Sequence, residues 1–349
     1  MQAEAGLKCY KSSRESCRRR NMVVKETGVS LYGLTYPEHA EDHFNEMVKH
    51  NCNAVLLAIM EFDLEFWYPS LVEIVKRAKK MDLKVYLDLW GIGKFFGGEQ
   101  TSVFLQNHVK NRQVTALSGE PLIAACFNSP TFRKYFSGWV RKLAEDTESD
   151  GFFWDEPHYA SGPPDWSCRC EICQALFKRE YGYEMPKILT DEVRTFREDR
   201  AVEVLREASI AAKEVDPKLK VTACVLPTPD PWHGYGNWEK VARVKEFDVF
   251  STSIMGYGRP VKDYADVAEK TVAMAKKHGK ESQRWVMSYH SSPDDLSFIR
   301  TLVHLYAEKG VDSIFSWTYR AGKWTVLSAP EPDKVWDTLG SAFGEVLKR

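Results

Sequence analysis

Two carboxylates stand side by side at Asp155 and Glu156, directly after the apolar residues 151–154. A short apolar run of this kind is typical of a buried strand, which would deliver both acids to its C-terminal end. Carboxylate pairs act as acid, base or nucleophile at glycosidic bonds. Burial and the neighbouring Asp155 charge would both raise the pKa of Glu156 and keep it protonated near neutral pH. We therefore predict Glu156 as a general acid, with capping of the next loop as the alternative role of the pair.

A cysteine cluster follows these acids, with Cys168, Cys170 and Cys173 placed within six residues. This spacing is short enough to wrap one tetrahedral metal ion, and Cys126 could supply the fourth thiolate. Four thiolates with no open coordination position favour a structural zinc ion over a catalytic one. The alternative is a set of free surface thiols, an arrangement exposed to oxidation. The remaining cysteines are scattered and expected to be inert: Cys9, Cys17, Cys52 and Cys224.

These residues need elements to position them, and the chain alternates short apolar segments with longer amphipathic ones. The predicted strands are 29–35, 54–60, 84–90, 151–155, 220–226, 247–254, 284–290 and 313–319. The predicted helices include 68–81, 129–146, 190–215, 261–278, 294–309 and 331–347. Eight such units favour a (β/α)8 TIM barrel, whose active site lies at the C-terminal strand ends. A doubly wound sheet is the competing fold, but the sequence lacks its Gly-x-Gly-x-x-Gly turn.

The chain of 349 residues shows no linker, internal repeat or low-complexity tract, and α/β barrels reach this length as one domain. We expect residues 1–27 to form an N-terminal extension packed on the barrel. Residues 28–349 would form a single catalytic domain. Insertions after the third and fourth strands, over about 91–130 and 157–190, would cover the site and carry the metal.

In a barrel, the candidate site consists of the polar and aromatic residues at the strand ends. Asp88 and Glu61 are further candidates for base or nucleophile, with a salt bridge to a neighbouring cation as their alternative role. Aromatic rings there can pack against the apolar faces of sugars. The residues predicted to bind substrate are Tyr36, Trp90, His158, Tyr257, Tyr289, His290, Trp317 and Tyr319. Structural roles are the alternative for His290 and Trp317.

The composition excludes several partners. A net charge of −1 gives no electrostatic reason to expect nucleic acid or an anionic membrane. The N-terminal residues lack the apolar core of a signal peptide, and no apolar stretch is long enough to span a bilayer. We therefore expect a cytoplasmic protein, in which clustered cysteines favour metal over disulfides. The 13% aromatic content suits a small-molecule carbohydrate site.

At these residues the chain resembles clan A glycoside hydrolases, and most of all the family 42 β-galactosidases. In that family a strand-four Asn-Glu carries the acid/base, and a Cys-x-Cys-x-x-Cys loop binds zinc together with one earlier cysteine. Here Trp154-Asp155-Glu156-Pro157 stands in place of the Asn-Glu, and the loop over 168–173 matches the zinc loop. The segment 126–133 resembles the one that holds the earlier cysteine, and residues 173–182 resemble the helix after the loop. The resemblance implies a carbohydrate substrate, structural zinc and a possible homo-oligomer, since relatives are often trimers.

Two positions depart from that family. Asp155 replaces the Asn that hydrogen-bonds the sugar 2-hydroxyl in clan A. The family nucleophile is a Glu at the end of strand seven, but residues 284–290 contain no Glu. The next acids, Asp294 and Asp295, are expected to begin the following helix. The β-galactosidase activity is therefore not carried over to this chain.

The leading prediction is a glycoside hydrolase with Glu156 as acid and a second carboxylate from Asp155, Asp88 or Glu61. A carboxyl separation of about 5 Å would favour retention of the anomeric configuration, and roughly 6.5–9.5 Å would favour inversion. A route in which a substrate group attacks its own anomeric carbon would need no enzyme nucleophile.

Two other functions stay open. A carbohydrate-binding barrel without hydrolysis is supported by the missing strand-seven Glu. A metal-dependent barrel enzyme would use His158, His290 and acidic residues, but the predicted site has no His pair at chelating helical spacing.

Overall fold

We describe the computed structural model of the chain over residues 24–96, 101–228 and 236–347. Eight parallel strands close into a barrel, and their order along the chain is also their order around it. The strands are β1 (Glu26–Leu31), β2 (Ala54–Ala58), β3 (Lys84–Asp88), β4 (Gly151–Trp154), β5 (Lys220–Val225), β6 (Val249–Thr252), β7 (Glu281–Met287) and β8 (Ser313–Trp317). The barrel closes where Glu26 of β1 pairs with Ser313 of β8. The predicted (β/α)8 fold is confirmed.

Helices surround this barrel, and all six helices predicted above are present. The α-helices are α1 (Pro37–Lys49), α2 (Glu61–Glu65), α3 (Tyr68–Lys80), α4 (Val103–Asn107), α5 (Pro130–Asp146), α6 (Glu171–Tyr181), α7 (Asp191–Val215), α8 (Trp238–Ala242), α9 (Val261–Lys277), α10 (Leu296–Glu308) and α11 (Pro332–Val346). Among the described residues, none of these helices is long and apolar enough to cross a membrane.

Helix α5 shows how the sequence determines these elements. Ser129 caps its N-terminus by accepting a hydrogen bond from the Phe132 N–H, and Pro130 occupies the first turn, where no N–H is needed. Its buried residues include Phe132, Phe136, Val140 and Leu143. These positions recur at helical spacing and form one apolar face that packs toward the barrel.

The strand that carries the predicted acids begins at a position that only glycine can occupy. A Cβ atom at Gly151 would lie 1.9 Å from the Lys220 carbonyl oxygen of β5. Glycine therefore allows β4 and β5 to approach closely enough to pair. The apolar residues that follow it are fully buried as predicted.

Strands β1 and β7 begin earlier than their apolar patterns predict, at Glu26 and Glu281. Glu26 is buried at the bottom of the barrel, where it accepts a hydrogen bond from the Tyr86 hydroxyl at 3.0 Å and pairs with Lys84 at 2.5 Å. Charged residues that are satisfied inside a barrel carry no apolar signal. All eight strands also end earlier than predicted; Tyr32, Trp90 and Tyr289, for example, follow their strands as loop residues.

The two long insertions follow β3 and β4 and contact each other. The first contains the short helix Ile92–Lys94, α4, the short helix Val109–Asn111 and a two-stranded antiparallel hairpin, Arg112–Val114 with Pro121–Ala125. An antiparallel bridge between Thr115 and Ser167 joins it to the second insertion. Residues 1–23 of the predicted N-terminal extension lie outside the described residues.

Candidate active site

A cavity of about 250 Å³ lies at the C-terminal ends of the barrel strands. Three carboxyl groups line it: Asp88 at the end of β3, and Asp155 and Glu156 directly after β4. The other lining residues are Tyr32, Leu56, Trp90, Phe96, Phe153, His158, Cys224, Ser253, Ile254, Trp285 and Trp317. The position agrees with the rule that TIM barrels hold their active sites at this end.

Asp155 and Glu156 form a close pair. Oxygen atoms of the two carboxyl groups and the Cys224 sulfur all lie within 4.8 Å of one another. The Glu156 N–H donates a 3.0 Å hydrogen bond to Asp155 Oδ1, which fixes the first acid beside the second. Both acids therefore present their carboxyl groups to one side of the cavity.

The surroundings of the pair separate the pKa values of its two members. Burial and the Asp155 charge raise the pKa of Glu156 to about 8, against a hydrogen bond from Ser253. Burial raises the pKa of Asp155 to about 6, against the hydrogen bond from the Glu156 N–H. Between these two values Asp155 is ionised while Glu156 retains its proton. One carboxylate and one carboxylic acid side by side are a usual acid–base arrangement.

Asp88 is the third carboxyl of the cavity and is only 1% exposed. Burial, with the Asp155 charge, raises its pKa well above the ordinary value. Its Oδ1 has no hydrogen-bond partner among the described residues. A carboxyl oxygen without a partner in the protein can form a hydrogen bond with a ligand, so Asp88 is able to bind a ligand hydroxyl.

Aromatic rings form the side of the cavity that faces the acids across the barrel. The Trp317 indole N–H donates a hydrogen bond to the Tyr32 hydroxyl. Tyr289 packs edge-on against Trp317 at a centroid distance of 4.6 Å, and Trp90 packs against Tyr32 at 5.0 Å. Such rings can pack against the apolar face of a sugar.

The cavity therefore has two chemically different walls. The carboxyl wall consists of Asp88, Asp155 and Glu156, which follow or end the neighbouring strands β3 and β4. The aromatic wall consists of Tyr32, in the loop after β1, and Trp317, at the end of β8. Because β8 is four strands away from β4 in either direction around the barrel, the two walls face each other.

The structure brings six predicted site residues to the cavity and places a seventh beside it. The six are Asp88, Trp90, Asp155, Glu156, His158 and Trp317. Tyr289 lies beside the cavity against Trp317, and burial together with the Glu156 charge raises its pKa.

Glu61 lies outside the cavity lining and is bound by backbone and side-chain donors of the first insertion. It is 1% exposed, and its oxygens accept hydrogen bonds from the Gly93 N–H, the Ser102 hydroxyl and the Phe104 N–H. Burial raises its pKa against these hydrogen bonds. This carboxyl connects the start of α2 to the loop and helix after β3.

The remaining predicted substrate residues also lie outside the cavity lining: Tyr36, Tyr257, His290 and Tyr319. Tyr36 is 54% exposed and packs against Trp67. The Tyr257 hydroxyl donates to the Met287 carbonyl, and His290 Nε2 lies 3.1 Å from the Val326 carbonyl. Tyr319 contacts His43 of α1. These four side chains therefore contact other residues of the protein outside the cavity, and not its lining.

Several cavity residues were not among the predicted ones: Tyr32, Phe96, Phe153, Cys224, Ser253 and Trp285. The expectation that Cys224 is inert did not include its position beside the two acids. Side chains alternate along a strand, so counting back from Asp155 places Phe153 in the barrel interior. The same alternation along β5 and β7 would have predicted that Cys224 and Trp285 also point into the barrel interior.

The four clustered cysteines meet as the spacing predicts. Cys126, Cys168, Cys170 and Cys173 are buried, and their sulfur atoms all lie within 4.8 Å of one another. Two of the sulfur–sulfur distances are 3.5 Å, far longer than a disulfide of about 2.05 Å. Tetrahedral zinc with Zn–S bonds of about 2.3 Å implies similar separations. The cluster could therefore hold a metal ion.

Polar groups around the cysteines support such a site. The Asn128 amide donates to Cys173 Sγ at 3.3 Å. Arg197 is buried, donates to the Ser167 carbonyl at 2.7 Å and lies over the Tyr159 ring at 4.1 Å. This buried cation interacts electrostatically with Cys168 and Cys173 and would offset the negative charge of bound thiolates.

Searches with protein-family models and among curated proteins find no match to this sequence. Solved structures do match its fold. A β-galactosidase from Rahnella sp. R3 has a TM-score of 0.70 at 14% identity, covering 94% of this chain and 57% of that enzyme. A β-galactosidase from Bacillus circulans sp. alkalophilus has a TM-score of 0.70 at 15% identity, covering 91% and 56%.

The catalytic domain of a β-amylase from Paenibacillus polymyxa also matches, with a TM-score of 0.66 at 10% identity, covering 91% of this chain and 99% of that domain. The neighbours are TIM-barrel glycoside hydrolases, and this chain has their fold. It spans little more than half the length of the two β-galactosidases.

Proposed function

We propose that the protein is a glycoside hydrolase in which Glu156 protonates the oxygen of the leaving group. The observation that carries this proposal is the half-buried Asp155–Glu156 pair at the C-terminal end of the barrel. Its pKa values of about 6 and about 8 leave Asp155 ionised and Glu156 protonated near neutral pH. After bond cleavage the ionised Glu156 would take a proton from the attacking water, as microscopic reversibility requires.

The volume of the cavity favours a small substrate group. Its volume of about 250 Å³ lies just below the range of roughly 300–1,000 Å³ typical of small-molecule sites. We infer that one sugar ring at the end of a glycoside binds between the two walls. The aromatic wall would stack on the ring, and Asp88 would bind a hydroxyl through its unpaired oxygen.

Asp155 is the proposed second carboxylate. Its ionised form lies next to Glu156 and faces the same bound ring. Asp88 is the alternative, although burial favours its neutral form. Glu61 is not a candidate for this role, because its oxygens already accept hydrogen bonds from three donors of the protein.

We also propose that Cys126, Cys168, Cys170 and Cys173 bind one structural zinc ion. A bound zinc would crosslink the two insertions through residues that do not line the cavity. The protein supplies four sulfur ligands and the Asn128 hydrogen bond that orients one of them.

The test is a screen of the purified protein on aryl glycosides that cover common sugars and both anomers. Glu156→Gln preserves the shape of the side chain but removes the proton donor, and it should abolish turnover of glycosides with poor leaving groups. Glu120→Gln is the matched control, because Glu120 is exposed in the hairpin of the first insertion. Full activity of the Glu156→Gln protein would reject the proposal.

A carbohydrate-binding barrel without hydrolysis is the second candidate. It is favoured by β7, which ends at Met287 and is followed by Ser288, with no carboxylate on that side of the cavity among the described residues. This function predicts sugar binding that Trp317→Ala weakens, with no turnover of any glycoside in the screen.

A further inference from the structure

The distribution of carboxyl groups in the cavity restricts the reactions it can support. Hydrolysis at an anomeric carbon usually needs an acid on the side of the leaving group and a nucleophile or base on the opposite face. Among the residues that the structure describes, the acids that line the cavity are Asp88, Asp155 and Glu156, all on the carboxyl wall. A sugar ring between the walls meets these described carboxyl groups from one side only.

The aromatic wall does not supply the missing nucleophile. Its members are the indole of Trp317 and the phenol of Tyr32. Burial and the charges of Asp88 and Asp155 raise the pKa of Tyr32 well above its ordinary value. A phenol held protonated in this way is a poor nucleophile.

The base of the cavity is apolar. Leu56, Phe153, Cys224 and Trp285 belong to one buried cluster, against which Ile254 and Trp317 pack. The same residues line the cavity next to the acid pair. The site thus offers an apolar surface directly beside the Asp155 carboxylate, a combination that suits a group with both a methyl and an N–H.

We propose that the substrate is a 2-acetamido sugar, whose own amide oxygen acts as the nucleophile. This inference rests on the proposed hydrolase function and names its substrate class. The acetamido methyl lies against the apolar base of the cavity, and its N–H donates to the Asp155 carboxylate. That hydrogen bond raises the electron density on the amide oxygen and directs it toward the anomeric carbon.

The reaction needs no reactant besides the substrate and water. The amide oxygen forms a bond to the anomeric carbon while the bond to the leaving oxygen breaks, and that oxygen takes the proton of Glu156. The product of this step is a cyclic oxazolinium ion, whose N–H is held by Asp155. Water then attacks the anomeric carbon and gives its proton to the Glu156 carboxylate. The amide is restored, and the sugar keeps its anomeric configuration.

The first arm of the test uses the unaltered protein. Aryl 2-acetamido-2-deoxy glycosides are compared with aryl glycosides of the same sugars that carry a 2-hydroxyl, in gluco and galacto forms and both anomers. We expect the acetamido substrates to be cleaved at least about a hundredfold faster, because an intramolecular nucleophile is pre-positioned. Replacing the acetyl group by its mono-, di- and trifluoro forms should lower the rate stepwise, since each fluorine weakens the amide oxygen.

The second arm uses Asp155→Asn, with Glu120→Gln as control. Loss of the carboxylate should slow the acetamido substrates and abolish inhibition by a stable thiazoline analogue of the cyclic ion. Cleavage of the 2-hydroxy glycosides at an equal or higher rate, or rates insensitive to fluorine, would overturn this inference and leave the hydrolase in place. Absence of turnover in both series, with Glu156 intact, would reject the hydrolase itself.

Discussion

Glu61 follows β2 and Glu156 follows β4 at the C-terminal end of the barrel, and burial raises the pKa of both. Their surroundings differ. Glu61 accepts hydrogen bonds from three donors of one insertion and is absent from the cavity lining. Glu156 faces the cavity, beside the charge of Asp155. Burial alone therefore does not make a catalytic acid; the carboxyl group must also face an open cavity instead of donors of the protein.

The largest expected difference between the two is in turnover. Glu156→Gln should lower kcat/KM on glycosides with poor leaving groups by about 10²–10⁴-fold, the usual contribution of a positioned acid. Glu61→Gln should leave kcat/KM of the folded protein within a few-fold of the original. Steady-state kinetics on both variants checks this. Equal losses in the two variants would remove the distinction between these glutamates.

Removal of the proposed metal should affect stability more than chemistry. Elemental analysis should find one zinc per chain, and Cys170→Ser should lower both zinc content and the melting temperature. Cys52→Ser is the matched control, because Cys52 is a buried cysteine outside the cluster. Equal melting temperatures with and without a chelator, in a protein that has lost its zinc, would contradict a structural metal.

Glu61→Gln should destabilise the fold. The amide can still accept through one oxygen, but its NH2 group would face an N–H or hydroxyl donor of the first insertion. One unsatisfied buried donor costs about 1–3 kcal/mol. Urea unfolding monitored by tryptophan fluorescence measures this free energy. A variant as stable as the original would show that the three hydrogen bonds contribute little.

Glu156→Gln should have the opposite effect on stability. The folded-state pKa of Glu156, about 8, exceeds the unfolded value of about 4.3. The free energy that this group contributes to folding is therefore fully present below the unfolded pKa. This stabilisation is lost as pH rises toward the folded pKa. Glutamine removes this loss, so the variant should gain in melting temperature relative to the original between pH 5 and 8. A constant difference over this range would contradict a raised pKa.

The smallest expected effect is a shift in the pH profile. The profile of kcat/KM should rise through the pKa of Asp155, about 6, and fall through that of Glu156, about 8. Asp155→Asn removes the charge that raises the pKa of Glu156, so the alkaline limb of the remaining activity should move to lower pH. An unmoved alkaline limb would assign it to another group.

The sequence predicted the features that local patterns encode. The apolar run before Asp155, the Cys-x-Cys-x-x-Cys spacing and the amphipathic helices all have local signatures, and the structure contains the corresponding strand, thiol cluster and helices. The role of Glu61 had no such signature. Whether a strand-end acid faces the cavity or a neighbouring insertion depends on loops distant in sequence, here the donors Gly93, Ser102 and Phe104.

The aromatic residues of the cavity were harder to predict for a related reason. Trp285 and Phe153 resemble core residues in an apolar strand, because the interior of a barrel and its outer surface are both buried. Only the closure of eight strands shows which alternate residues point inward beneath the acids. Tyr32 was predicted to lie within the first strand, but that strand ends at Leu31 and Tyr32 is a loop residue.

Dependence of the rate on the leaving group tests the proton-donor role of Glu156 most directly. Aryl glycosides with leaving groups of increasing pKa are compared between the original protein and Glu156→Gln. We predict a nearly flat dependence for the original protein, because Glu156 protonates the departing oxygen. The variant should cleave activated substrates and lose rate steeply as the leaving-group pKa rises. Parallel dependences in the two proteins would contradict Glu156 as the proton donor.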